Sequence, residues 1–253
     1  MRFNIYFLFF FLSILCSHNI ESDPEWKRYH RGTFIVNEEH NYGFGGYLRL
    51  KRTTDYTFRD LRIYIHLIEN NTYQKIRYKN SRKFLDLKNM YNYTTIAIDQ
   101  NTKIGVNVRY HGNQGFGYFL KKNKNAHLNT EIGIAYDVSD YLNDSSKTSY
   151  FKTGVYWDQD FDSYEIKLEI EDYIQITDIK LDDLSRIEIS LELFFQIKKD
   201  FNIILGYEFE DFKKSKNNIN SSVYLSIERV KIFNFNKLKN KLLLLSRSVP
   251  KPK

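Results

Sequence analysis

From Tyr42 onward the chain repeats one pattern: a segment of about 8 to 11 residues that alternates apolar with polar, then a short polar stretch. Side chains of a β-strand point to opposite faces with a period of two, so this alternation predicts strands with one apolar and one polar face. Twelve runs follow one another. GFGGYLRLK sets Phe44, Leu48 and Leu50 against Tyr47, Arg49 and Lys51, and FRDLRIYIHL sets Leu61, Ile63, Ile65 and Leu67 against Arg62, Tyr64 and His66. A weaker third run near residues 73–80 opposes Ile76 and Tyr78 to Lys75, Arg77 and Lys79. The fourth carries Thr94, Ile96 and Ile98. The fifth sets Ile104, Val106, Val108 and Tyr110 against Asn107 and Arg109, and a short sixth holds Phe116, Tyr118 and Leu120. HLNTEIGIAY is the seventh, and the eighth sets Phe151, Val155 and Trp157 against Lys152, Tyr156 and Asp158. The last four carry acidic polar faces. These are Glu165, Glu169 and Glu171, then Glu188 and Glu192, then Glu208 and Glu210, and finally Glu228.

Strands of 9 to 11 residues suit a tilted crossing of a hydrocarbon layer, whereas soluble strands average about 5 to 6. Backbone groups inside a bilayer have no water to bond, so a spanning sheet must close on itself. The pattern therefore predicts an all-β fold, an antiparallel up-and-down transmembrane β-barrel of about 12 strands. Its apolar set would face lipid and its polar set the lumen. With the N-terminus inside, the odd connections fall near residues 53–57, 81–89, 111–114, 139–147, 174–184 and 212–218. The even ones, near 69–72, 100–103, 122–126, 159–163 and 197–200, are uniformly short, as periplasmic turns are, while the odd set includes the longest connections. Phe44, Phe58, Tyr110, Phe116, Tyr136, Trp157, Tyr164, Phe201 and Phe209 lie at run ends, where interfacial girdles belong.

The ends of the chain read differently. Residues 1–17, MRFNIYFLFFFLSILCS, have a basic start and an apolar run too short to span a bilayer, the form of a cleaved signal peptide. Cys16 raises lipidation as a second reading of the same segment, although Leu15 before it is large where a small residue is usual. Residues 18–41 read as an N-terminal periplasmic segment, 42–235 as the barrel, and 236–253 as a basic C-terminal tail.

Composition narrows the picture. Mean hydropathy is −0.53, which excludes a bundle of transmembrane helices but not a barrel with one apolar face per strand. The net charge of +7 favours attraction to anionic lipid, lipopolysaccharide included, and no basic helix or finger motif points to nucleic acid. Cys16 is the only cysteine, so the mature chain has no disulfide and no cysteine metal site.

No catalytic constellation emerges, and no cofactor is implied. The six histidines lack metal-ligand spacing, with His66 alone on a lumen position. GFGGYL is followed by a strand rather than a helix, against a phosphate loop. A pairing of His111 with Ser145 or Ser146 on the outer side is the one hydrolase-like arrangement to be considered. The candidate functional feature is the lumen charge. Arg49, Lys51, Arg62, Lys75, Arg77 and Arg109 line one wall, and Glu165, Glu169, Glu171, Glu188, Glu192, Glu208, Glu210 and Glu228 the other. Either these charges pair into a network that plugs a narrow barrel, or they leave a pore with a transverse field.

The order of segments resembles the salt-induced outer-membrane protein family, the YdiY-like barrels. The resemblance rests on GFGGYLRLKRTTDYTFRDLRI, GFGYFLKKNKNAHLNTEIGIAY, LSRIEISLELFFQIKKDFNIILGYEFE and the closing SSVYLSIERVKIF. It implies an outer-membrane barrel without catalytic residues, whose last strand ends on an aromatic residue, here Phe233 or Phe235, read by the barrel-assembly machinery. The expected function is a narrow porin-like channel for ions or small solutes, or an osmotic-stress protein of the envelope. The alternative is a soluble periplasmic or secreted ligand-binding barrel of lipocalin type, with the two faces reversed.

Overall fold

The computed structural model describes residues 25–69, 71–140, 146–177, 183–212 and 219–234. They form twelve strands: β1 (Trp26–Asn37), β2 (Tyr42–Thr53), β3 (Thr57–Ile68), β4 (Asn71–Lys83), β5 (Met90–Asn101), β6 (Val106–Lys122), β7 (Ala126–Ser139), β8 (Ser146–Asp160), β9 (Glu165–Gln175), β10 (Arg186–Lys198), β11 (Phe201–Phe212) and β12 (Ile219–Phe233). Each pairs antiparallel with its sequence neighbours, and β1 pairs with β12 from Trp26↔Phe233 to Asn37↔Ser222. The sheet is thus closed and has no free edge. A 3-10 turn, Thr102–Ile104, joins β5 to β6.

The two faces have opposite chemistry. Outward side chains such as Phe44, Leu67, Ile96, Ile132, Ile134, Leu205, Leu225 and Ile227 are exposed around the whole circumference. Inward ones such as Asp60, Asp99, Arg109, Lys152, Arg186 and Glu228 are buried. A soluble protein keeps exposed apolar patches small, whereas an apolar outer band over a polar interior is the arrangement of a transmembrane barrel. The lipocalin alternative needs the reverse polarity and is excluded.

The strand count agrees with the alternation, but two errors cancel within it. Residues 26–37, assigned to a periplasmic segment, are strand β1. Residues 111–114, read as a connection, lie inside the 17-residue strand β6, so the fifth and sixth runs are one strand. The physical reasons differ. In β1 the outward positions include Arg28, His30 and Gly32, which erase the apolar stripe. In β6 the stretch HGNQG has turn composition, yet Gly115 packs so closely on Gly133 of β7 that a Cβ would come within 2.6 Å of its Cα, holding the segment extended.

One consequence is a change of sides for the first half of the chain. The connections near 53–57 and 81–89 lie at the end that carries the termini, and those near 69–72 and 100–103 at the far end. From β7 onward the expected sides hold. At the terminus end the turns are 54–56, 84–89, 123–125, 161–164 and 199–200; the far end has 38–41, 69–70 and 102–105 and, from β7 onward, connections longer than the terminus-end turns beside them, 140–145, 176–185 and 213–218. Short turns mark the periplasmic end of such barrels. Phe44, Tyr110, Phe116, Tyr136 and Tyr164 of the expected girdle are outward and exposed. Phe58 is not, because it shares the inward parity of Asp60 and lies under the Lys51 ammonium at 5.6 Å. The signal segment 1–17, Cys16, Ser145, Phe235 and the tail 236–253 lie outside the described residues.

If the outward stripe faces acyl chains, Leu225→Arg in the middle of β12 is expected to destabilise the barrel by about 2–4 kcal/mol. Urea unfolding in lipid vesicles, followed by heat-modifiable gel migration, measures this. The inward neighbour substitution Ser226→Ala is expected to cost far less.

Candidate functional site

The lumen is the candidate site, and strand parity builds it. Because every second residue points inward, β2 contributes Tyr47, Arg49 and Lys51, β3 Asp60, Arg62, Tyr64 and His66, and β4 Lys75, Arg77 and Lys79. β9 contributes Glu165, Lys167, Glu169 and Glu171 from the opposite wall. Inward glycines leave room for rings: Tyr91 lies over Gly117 and Tyr224 over Gly206, so close that a Cβ at either would sit 2.1 Å from the ring. The tyrosines pack flat against the wall while their hydroxyls reach the carboxylates.

Charges in this space are matched. Asp60 accepts from two guanidiniums, Arg49 Nε at 2.6 Å and Arg62 Nε at 2.7 Å. Glu131 accepts from Lys79 Nζ at 2.6 Å, Lys152 Nζ at 3.0 Å and Tyr91 Oη at 3.0 Å. Arg109 pairs with Asp99 and Glu210, and Arg186 with Asp137 and Glu188. Arg31, on β1, donates to Glu192 and Glu228. Removing a charge from water costs several kcal/mol unless a partner and further hydrogen bonds replace the hydration, and each of these groups has at least one partner.

Several pairs cross the barrel. β3 and β9 stand six strands apart in a ring of twelve, on opposite walls. Arg62 of β3 nevertheless donates to Glu169 of β9 at 3.1 Å. Lys75 of β4 reaches Glu188 of β10, also six strands away, at 3.6 Å. Arg77 of β4 meets Glu171 at 3.3 Å and Glu169 at 3.5 Å. The lumen therefore has a waist bridged by ion pairs.

Cavities open on both sides of it. The one toward the terminus end is about 260 Å³ and includes Arg49, Lys51, Lys83, Lys122 and His127. The one toward the far end is about 130 Å³ and includes His66, Tyr73, Lys75, Asn101 and Lys103. Arg62, Tyr64, Arg77, Glu169, Ser190 and Glu208 line both, which locates the waist between them. Eight Lys or Arg face five carboxylates around the larger cavity, against four and five around the smaller, so the lumen is polarised along its axis. The far end is partly filled by an apolar cluster of Ile104, Val106, Ala135, Tyr150, Tyr173, Leu184 and Phe212. Across the remaining opening Lys103 donates to Glu38, which also accepts from the Ser221 amide at 3.0 Å.

All fourteen residues expected in the lumen carry inward parity. Twelve have an oppositely charged partner within 4.0 Å: Arg49, Arg62, Lys75, Arg77, Arg109, Glu165, Glu169, Glu171, Glu188, Glu192, Glu210 and Glu228. Lys51 and Glu208 have none among the described residues. The expected division into a basic and an acidic wall needs correction, because Asp60 and Asp99 sit among the arginines and Arg186 among the glutamates. Their alternation in sequence was the signal that could have placed them inside. His66 packs in the lumen against Tyr64 and Tyr73. His111 is inside β6, bonded to Asp137 and Asn113 rather than in an outer loop. Among the described residues no group of three His, Cys, Asp or Glu side chains could hold a metal.

No protein-family model matches the chain, and no curated protein matches it. Among solved structures it is similar to the NanC porin, with a TM-score of 0.55 and 10% identity over 80% of this chain and 98% of that one. It is also similar to the KdgM porin, with a TM-score of 0.47 and 9% identity over 79% and 98%. The likeness to the former shows the shared fold, a closed antiparallel β-barrel of the outer-membrane kind.

Two outcomes follow from this geometry. Glu131→Gln leaves Lys79 and Lys152 facing each other without their carboxylate, and a loss of about 3–5 kcal/mol is expected in vesicle unfolding. Glu38 lies outside the spanning strands. Burial acts to raise its carboxyl, but the hydrogen bonds from Lys103, its own backbone and Ser221 outweigh that and hold it below its ordinary value. A depressed carboxyl contributes stability above its unfolded value and loses it as pH falls. Hydrogen exchange at residues 102–105, corrected for its intrinsic pH dependence, is therefore expected to quicken in acid for the native chain and to be fast at every pH for Glu38→Gln.

Proposed function

We propose that the chain is a narrow channel of the bacterial outer membrane that passes ions and small solutes through an ion-paired constriction. The observation that carries this reading is the pair of cavities entering from opposite ends and sharing one waist, lined by Arg62, Arg77, Glu169 and Glu208. A pore of this kind selects by the charge and reach of the side chains at its constriction. The surplus of cations in the larger cavity makes small anions the better-tolerated cargo on the periplasmic side.

The reading is of a conduit rather than an enzyme. His111 is engaged by Asp137 and Asn113, and most lumen charges are held in ion pairs. The resemblance to the salt-induced outer-membrane barrels suits a part in the osmotic response of the envelope. The barrel-assembly machinery and anionic envelope lipid, lipopolysaccharide included, are the partners such a barrel would meet.

Conductance in planar bilayers tests the proposal. The native chain is expected to give small, discrete openings. The double substitution Arg62→Ser and Glu169→Ser, which removes a cross-lumen pair without leaving either charge alone, is expected to raise unit conductance by at least about twofold. A folded, heat-modifiable protein that is silent in both forms would overturn the channel reading and leave an envelope protein with a plugged lumen.

A further inference from the structure

The outward face of the closing seam turns basic toward the terminus end. Arg28 and His30 of β1 stand opposite Lys231 and Arg229 of β12 in register, on the same face as Phe34 and Leu225. Arg28, Arg229 and Lys231 are the cations of this patch, side by side across the β1–β12 seam. Among the described residues none of these three cations has a carboxylate partner, and Arg28 Nε is buried without a hydrogen-bond partner. Two of them are held in place by rings: the Arg28 guanidinium lies 5.5 Å from the Phe233 centroid and that of Arg229 lies 5.3 Å from Phe201. Three unneutralised cations at the edge of an apolar belt are costly unless an anion supplied by the surroundings meets them.

Beside them the belt has a notch. Gly32 of β1 and Gly46 of β2 are paired in register, and a Cβ built outward on either would meet nothing within 4 Å. The notch is flanked by Ile227 and Ile65, both exposed, and capped toward the far end by Phe34 and Phe44, whose rings meet edge-on at 5.7 Å. Gly32 lies four residues from Arg28, about 13 Å along the strand. At a strand tilt of about 40° this is about 10 Å of depth, inside the half-thickness of the hydrocarbon layer, about 15 Å, so a lipid whose phosphate met Arg28 would lay part of an acyl chain at the notch.

We propose that this seam is a binding site for an anionic phospholipid of the periplasmic leaflet, with its phosphate on Arg28, Arg229 and Lys231 and one acyl chain in the Gly32–Gly46 notch. Lipopolysaccharide carries phosphate as well, but it would approach from the far end. There the outward side chains of the same strands are Val36, Tyr42, Phe44, Leu67 and Val223, and none is a cation. The site depends on the outward face alone and stands whether or not the lumen conducts.

The test uses the full chain in phosphatidylcholine vesicles, with acyl-chain spin-labelled phosphatidylglycerol or phosphatidylcholine as the probe. The protein-immobilised fraction is expected to favour phosphatidylglycerol several-fold. Each neutralised cation is expected to cost up to about fivefold in relative association, so the triple substitution Arg28→Gln, Arg229→Gln and Lys231→Gln should bring the ratio close to one. Gly32→Leu should lower the immobilised phosphatidylglycerol with every charge intact, and Arg82→Gln, an outward cation at the end of β4, should leave the ratio unchanged. These side chains point out of the barrel, and heat-modifiable migration confirms that each variant folds. A native ratio near one, an undiminished ratio in the triple variant or an effect of Arg82→Gln as large as that of the triple would overturn the site. An unchanged Gly32→Leu would overturn the notch, and better displacement by lipid A than by unlabelled phosphatidylglycerol would overturn the choice of lipid.

Discussion

A backbone amide or carbonyl in hydrocarbon has no water to turn to, and that one constraint organises the molecule. It is met only when the sheet has no edge, which here means that β1 must pair along its whole length with both β2 and β12. Closure then fixes everything else. One side of every strand is committed to lipid and the other to an enclosed space. The number of strands sets how large that space is, and its size sets what can fill it. Side chains nearly fill a barrel of eight strands, while sixteen leave a water channel. Twelve leaves a gap that apolar residues of ordinary length do not bridge but an arginine and a glutamate reaching from opposite walls do, as Arg62 and Glu169 show.

Filling a lumen with charge has its own requirement. A buried ion without a partner is far costlier than an unformed pair is worth, so the most deeply buried charges must be paired, while Lys51 and Glu208, which line the cavities, are left without a partner among the described residues. Asp60 serves two arginines, Glu131 two lysines and a tyrosine, and Arg186 spans Asp137 and Glu188. Tyrosines lying over glycines deliver hydroxyls to carboxylates of the network, Tyr91 to Glu131 and Tyr224 to Glu192, without adding charge. Such sharing ties several strands together through each ion. Yet the waist it builds is thin, with cavities on both sides, so the interactions that hold the walls also stand in the path between the two ends.

Eleven of the twelve strands could be read, wholly or in part, from alternation alone, because a lipid-facing side chain must be apolar whatever its neighbours are. Every inward charge singled out on that basis does face the lumen. What alternation does not carry is the identity of partners. The pairing of Arg62 with Glu169 joins residues 107 positions apart and depends on which strands end up opposite each other, which only the closed ring decides. The same holds for Asp60 and Asp99, whose inward parity was available but whose role as counter-ions follows from the register of neighbouring strands. In β6 the stretch HGNQG misled because Gly, Asn and Gln read as a turn when only their composition is weighed, whereas tight pairing with β7 keeps them extended.

The strand that alternation missed is the one that completes the ring, and the two facts have a common cause. A strand is recognisable from outside its fold only if one face is uniformly greasy, and β1 breaks that rule at Arg28, His30 and Gly32. Its stability comes instead from its neighbours: both edges are bonded, Ile35 is packed against Phe194, Ile204 and Tyr224, and Arg31 is held by Glu192 and Glu228. With the backbone and the inner face so firmly fixed, the outer face of β1 need not contribute to burial. Polar outward positions would be a defect anywhere the membrane offers only acyl chains. Near the level of the head groups they are tolerated, and there a departure from the pattern of the other strands marks where the barrel meets something other than hydrocarbon.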